Sequence, residues 1–208
     1  LEIDRLCKNA DCKLYLNYQR NYAIDIRDFQ LIGKIKAVEC NYVRGVMNDA
    51  SHAIALLLKL FGTTHEFSSS NEPIVSKNVI TDKQSDPTLS AFLKFSRLSE
   101  AVLIGHDGRD YDIFEIKFWG DNGVITLGSH GSRFVYQPIV QEEIYGNYKK
   151  LSEHCIPLLR ESWNEIGIER VYETIFHDYY FEEYTECVDY IGVWHIINKI
   201  FFNYGRMM

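Results

Sequence analysis

His52 stands in the first turn of a predicted helix, four residues after Asn48 and three after Asp49, and of all side chains in the chain it offers the plainest chemistry. A neutral imidazole can accept a proton near pH 7. The unpaired N–H groups at the start of a helix disfavour the charged imidazolium, which would keep His52 in that form. The same placement also suits a histidine that only hydrogen-bonds a neighbouring loop. Arg44 and Asn48 occupy the turn before His52, where they could line a substrate pocket or simply be solvated turn residues.

The elements that position His52 can be read from periodicity. Ala37-Val38-Glu39-Cys40-Asn41-Tyr42-Val43 has the half-alternating pattern of a strand, and Ile54, Leu57, Leu58 and Phe61 then recur at the spacing of one buried helix face. Asn48 or Asp49 is placed to cap that helix, predicted over 49 to 61, and Gly62 to end it.

The segment from Asn48-Asp49-Ala50-Ser51-His52 to Gly62 resembles the opening of the C-terminal domain in the glucose-fructose oxidoreductase, inositol dehydrogenase and rhizopine-catabolism (Gfo/Idh/MocA) family of NAD(P)-dependent sugar dehydrogenases. Upstream, Leu14-Tyr15-Leu16-Asn17-Tyr18-Gln19-Arg20-Asn21-Tyr22 is similar to that family's strand followed by an arginine and an aromatic, and Leu31-Ile32-Gly33-Lys34-Ile35 to its approach to the second domain. Phe114 to Ile125, with Gly120 and Gly123, looks like one of its hairpins, so that the resemblance covers residues 1 to about 140 in order.

That resemblance implies a sugar-like substrate, NAD or NADP as cofactor, and His52 as acceptor of a hydroxyl proton. Asn17 and Arg20 fall where the resembling enzymes meet cofactor and substrate; Arg20 could hold a phosphate or a sugar hydroxyl, or form a salt bridge at a domain interface. It also implies that sheet faces pack together in a homodimer.

The chain departs from the family at informative places. The usual carboxylate three residues after the histidine is Ala55 here, so an orienting partner for His52 must come from Asp49 or elsewhere in the fold. Ala50 replaces a usual glycine. There is no G-x-G-x-x-G and no lysine-proline pair of the kind used beside the nicotinamide. The expectation is therefore a fragment: residues 1 to 33 as the remnant of a Rossmann domain and its crossing helix, and 34 to 208 as a substrate-binding and oligomerisation domain. Such a chain alone should not bind NAD or NADP tightly. A non-catalytic binding or assembly module derived from the family is the alternative.

Composition narrows the partners. With 208 residues, 46% hydrophobic and 25% charged, the chain can bury a real core. A net charge of −7 and the absence of a basic stripe argue against nucleic acid. No apolar run reaches the length of a membrane span, and no signal-peptide pattern opens the sequence, so cytoplasm is the default. Its 5 cysteines lack a C-x-x-C, and its 7 histidines lack ligand spacing, so no metal is expected.

The remaining pattern is mixed. A helix is expected over 1 to 10, a strand over 13 to 18, and a helix over 24 to 32 closed by Gly33. Strands follow at 65 to 68, 74 to 79, 88 to 95, 100 to 106, 111 to 119, 123 to 127 and 133 to 138, with a loop at 68 to 73 and a hairpin turn at Asn122-Gly123. Helices are expected near 148 to 155, over 168 to 176 and over 186 to 202, the last with Val188, Ile191, Trp194, Ile197, Ile200 and Phe201 on one side. Asp178 to Tyr184, acidic and aromatic, reads as a loop packing its rings on that final helix. Short connections make the strands mostly antiparallel. The fold class is α+β: an open, mostly antiparallel sheet with helices on one face, preceded by the Rossmann remnant. Which row of the strand around Phe114, Ile116 and Phe118 faces the helices is left open by the sequence.

Overall fold

The computed structural model describes residues 2–77, 85–106, 111–128, 133–158, 163–181 and 190–205. Strand β1 (Ile35–Tyr42) alternates as its sequence does: Val38, Cys40 and Tyr42 are buried, while Glu39 and Asn41 point to the other face. It lies within a sheet of nine strands among the described residues, ordered β2 (Thr64–Lys77), β3 (Ser85–Phe95), β4 (Leu98–Gly105), β1, β5 (Phe114–Gly120), β6 (Gly123–Gly128), β7 (Arg133–Gln141) and β8 (Lys149–Leu151), with β9 (Ile156–Pro157) also on β7. β1 and β4 run parallel, because a long excursion through a helix and two strands separates them; the other pairings described are antiparallel. The expected α+β class with an open, mostly antiparallel sheet is what the chain forms.

Phe114, Ile116 and Phe118 form the buried row of β5, which settles the facing question. Helices α1 (Glu2–Asn9), α2 (Gln19–Ala23), α3 (Ser51–Phe61), α4 (Trp163–Phe181) and α5 (Tyr190–Gly205) are joined by a 3-10 helix at Ile26–Ile32. Phe29 of that 3-10 helix packs on Phe118, with ring centroids 4.1 Å apart. Residues 22–32 thus share one core with the sheet. The polar face carries Glu39, Glu115, Lys117 and Arg133 in a ladder of ion pairs.

Several expectations are corrected. Residues 13–17 are not assigned to a strand among the described residues, and the Tyr18 N–H turns back to the Leu16 carbonyl at 2.8 Å as the chain enters α2. The loop expected at 68 to 73 is instead the middle of β2, where a register shift between Ser70 and Ile74 absorbs its turn-forming composition. The helix expected near 148 to 155 is β8 and a following bend, held by the edge of β7. Among the α5 side chains that are described, Val193, Ile196, Ile197 and Ile200 are buried, so Ile197 and Ile200 face inward as expected while Trp194 is 39% exposed. Val188 lies outside the described residues, as do positions 182 to 184 of the acidic aromatic run. Asp178 belongs to α4 and is buried, accepting the Tyr15 hydroxyl at 2.9 Å.

Helix α3 is buried on nearly every side. Ala53, Ala55, Leu56 and Leu60 are enclosed along with Ile54, Leu57, Leu58 and Phe61, as expected of a helix sandwiched between the sheet and other helices. Gly62 ends it at φ 81°, as its position in the sequence predicts.

Candidate functional site

The polar residues of interest gather where β1 ends, β5 begins and α2 crosses the start of α3. Between β1 and α3 the chain turns through Arg44 and Gly45, both at positive φ, and enters a π-helical turn at Val46–Ala50 that runs directly into α3. The wider turn is visible in the Ala50 N–H reaching back to the Gly45 carbonyl at 3.4 Å. Neither Asn48 nor Asp49 caps this helix. Asp86 of β3 does so from across the fold: its two carboxylate oxygens accept the N–H groups of Met47 at 3.0 Å and Asn48 at 2.9 Å. Thr88 Oγ1 accepts the Gly45 N–H at 3.0 Å. These residues escape sequence reading because a cap supplied by a distant strand leaves no local motif.

His52 consequently sits inside a continuous helix instead of at a bare N-terminus. Its imidazole is half-buried, and Nδ1 is enclosed without a hydrogen-bond partner. Its pKa is pushed down to about 3, first by burial and then by the Arg20 charge. The neutral imidazole expected from sequence is therefore favoured, for a different physical reason. Its ring neighbour is Tyr18, in an edge-to-face contact with centroids 5.0 Å apart. The Tyr18 phenol is raised above its ordinary range by burial, against the opposing effect of its hydrogen-bonding neighbour Ser51. Ser51 in turn donates to the Asn48 carbonyl at 2.8 Å.

Arg20, only 6% exposed, lays its guanidinium 3.9 Å over the Phe114 ring. Burial lowers it to about 10, while the nearby charges of Asp49 and Asp112 act in the opposite direction. Asp49, 8% exposed, receives the Asn48 side-chain amide at 3.4 Å. Arg44 pairs with Asp112 at 2.9 Å. The structure therefore brings His52, Arg20, Asn48, Asp49 and Arg44 to one corner and adds Tyr18, Ser51 and Asp112. Asp49 faces the charge of Arg20. Asn17 is exposed, one residue before Tyr18.

The corner is braced from behind. The buried Asn21 amide donates to the Ala55 carbonyl at 3.0 Å. Lys59 donates to the carbonyls of Asn21 and, at 2.9 Å, Ile24, closing the end of α2. Gly167 of α4 lies so close to α2 that a Cβ there would stand 2.3 Å from the Gln19 carbonyl oxygen. Among the described residues, no group of acidic, histidine or cysteine side chains could hold a metal ion, and no helix is long and apolar enough to cross a membrane.

No protein-family model matches the chain, and no curated protein matches it in sequence. Solved structures do match in fold. An oxidoreductase from Agrobacterium radiobacter in complex with NAD+, L-tartaric acid and magnesium aligns with 100% of this chain and 67% of its own, at 13% identity and a TM-score of 0.61. A levoglucosan dehydrogenase in complex with NADH and levoglucosan aligns over 92% of this chain and 63% of its own, at 13% identity and a TM-score of 0.59. A super-repressor mutant of Gal80p from Saccharomyces cerevisiae aligns over 89% and 57%, at 13% identity and a TM-score of 0.54. The chain spans about two thirds or less of the length of these structures. It has the α+β fold found in such oxidoreductases, in agreement with the fold implied by the Gfo/Idh/MocA resemblance.

Proposed function

We propose that this chain is the substrate-binding and assembly portion of an NAD(P)-dependent dehydrogenase acting on a sugar or related polyhydroxylated alcohol. The observation that carries the reading is the half-buried neutral His52 set beside Arg20, Asn48 and Asp49 at one corner of the sheet. In this reading His52 accepts the proton of the substrate hydroxyl as the carbinol carbon gives up hydride and the C–O bond becomes a carbonyl. The nicotinamide, bound by a nucleotide-binding domain, supplies the hydride acceptor. Asn48 and Arg44 meet substrate hydroxyls, Asp49 holds Arg20 in place, and the exposed Asn17 lies toward the cofactor.

The likeness in fold to NAD+- and NADH-bound structures supports this reading. The described residues contain no glycine-rich dinucleotide turn, and the buried Arg20 already lies among Asp49 and Asp112, so NAD or NADP is assigned to the other domain. Turnover assays of the protein that joins this chain to its nucleotide-binding domain test the proposal. His52→Ala should lower kcat on a polyol panel by about 100-fold or more, and undiminished turnover would overturn it.

A second reading, a non-catalytic binding or assembly module, is favoured by Ala55, which puts a methyl group where the resembling enzymes carry a carboxylate, and by the likeness to Gal80p. Absence of turnover on every polyol tried, with substrate-like ligands still bound in calorimetry, would select it.

A further inference from the structure

We propose that Tyr18 is a positioning residue that fixes the tautomer of His52, its ring face receiving the Nδ1–H of the imidazole and leaving Nε2 as the basic nitrogen. The inference rests on the proposed role of His52 as proton acceptor, and it identifies what takes the place of an orienting carboxylate in this chain. A histidine that accepts a proton at one nitrogen must carry hydrogen on the other, and something must hold that hydrogen. Ala55, one turn on, cannot do so, and Asp49 faces Arg20.

Two observations point to Tyr18. Nδ1 is enclosed by protein and has no hydrogen-bond partner, which is costly for a buried polar atom unless a weaker acceptor meets it. The Tyr18 and His52 rings stand at 90° with centroids 5.0 Å apart, so the edge of one meets the face of the other, the geometry an N–H donor to an aromatic face requires. The phenol is itself held: Ser51 neighbours its hydroxyl and donates to the carbonyl of Asn48, so the aromatic face is tied to the turn that carries the imidazole. Such an acceptor fixes orientation without adding negative charge beside the imidazole, and so leaves the ring neutral where a carboxylate would favour its charged form.

The tautomer can be read in this chain without substrate or cofactor, by long-range proton–nitrogen correlation spectra of protein labelled with nitrogen-15 histidine. His52→Gln identifies the resonance. The wild type should give a single tautomer, with Nδ1 protonated and Nε2 bare. Tyr18→Leu should convert it into a mixture of the two tautomers, while Tyr18→Phe, which keeps the ring face, should retain the single form. His106, bonded to Asn41 on the opposite sheet face at 2.8 Å, reports whether each variant is folded. An Nε2-protonated wild type, or a Tyr18→Leu spectrum unchanged from wild type, would overturn the proposal. If Tyr18→Leu does not fold, the wild-type tautomer and the Tyr18→Phe spectrum still decide. Loss of turnover in His52→Ala is independent of these spectra, so failure of the catalytic reading and failure of the tautomer assignment are separately visible.

Discussion

The carboxylate of Asp86 accepts the backbone N–H of Asn48 at 2.9 Å, joining the turn before His52 to a strand that lies 38 residues further along the chain. A second oxygen of the same carboxylate takes the Met47 N–H at 3.0 Å, so one side chain closes the amino end of the helical segment and fixes its distance from the sheet. The helix is thereby anchored at its entrance by β3 and along its length by the core.

Replacing Asp86 by alanine should cost about 1–2 kcal/mol, the usual loss for a helix cap, measured by urea unfolding. Asp86→Asn, which keeps one acceptor, should cost less. The carboxyl of Asp86 is raised above its ordinary range because burial outweighs its bonds to backbone N–H groups. A group raised in the folded state contributes most below its unfolded value, and that contribution is lost as pH rises through the folded one. The stability gap between wild type and Asp86→Asn should therefore narrow, or reverse, as pH rises above about 4.

Gly45→Ala should be more damaging than its small size suggests. The backbone there is at φ 87°, and a Cβ would stand 2.2 Å from the Asp86 carboxyl carbon. Left-handed strain and the displaced cap together should cost on the order of 3 kcal/mol in urea unfolding.

Ala55→Asp, the substitution that would restore the family pattern, should destabilise this chain. Ala55 is 1% exposed, and its carbonyl already receives the Asn21 amide at 3.0 Å. A carboxylate introduced among the aliphatic residues of α3 should cost at least about 3 kcal/mol unless it finds a cation. A variant at wild-type stability in a thermal melt would indicate that Arg20 can turn to meet it.

Local order along the chain was largely legible. The alternation of β1, the Asn122-Gly123 hairpin and the Gly62 helix stop are each set by short-range patterns, and each appears as read. What failed had non-local causes. Residues 13–18 have strand-like composition but fold back at Leu16 to Tyr18 into α2, and the turn-forming run at 68 to 73 is carried through β2 by its partner β3. At the site, the sequence pointed to His52 and to the residues around it. It could not supply Asp86, which arrives from β3, Asp112, which lies just before β5, or Tyr18, whose importance comes from a contact across 34 residues.

The depressed His52 makes a prediction for acid conditions. Because burial and Arg20 hold it at about 3, the folded protein takes up its proton there well below the ordinary imidazole range. Its stabilising contribution is complete above the unfolded value of about 6.5 and is lost progressively as pH falls toward the folded one. His52→Gln should therefore lose less stability than wild type between about pH 7 and about pH 4.5. In the joined enzyme, an acid limb set by His52 should be absent from the kcat/KM profile near about pH 6.5.

The open sheet face yields the last prediction, resting on the proposal that this face forms a homodimer. Lys117 stands between Glu39 at 3.6 Å and Glu115 at 3.2 Å, and Arg133 continues the ladder 3.4 Å from Glu115. These pairs are partly exposed, so each contributes about 0–1 kcal/mol to a single chain. Lys117→Glu should accordingly leave the thermal melt of a monomer little changed. Covered by a second copy, the same reversal would place three carboxylates side by side away from water, where like charges repel strongly. Light scattering at micromolar concentration should then give a dimer mass for wild type and a monomer mass for Lys117→Glu. A monomeric wild type would remove the dimer, and a variant still dimeric at that concentration would move the interface to another face.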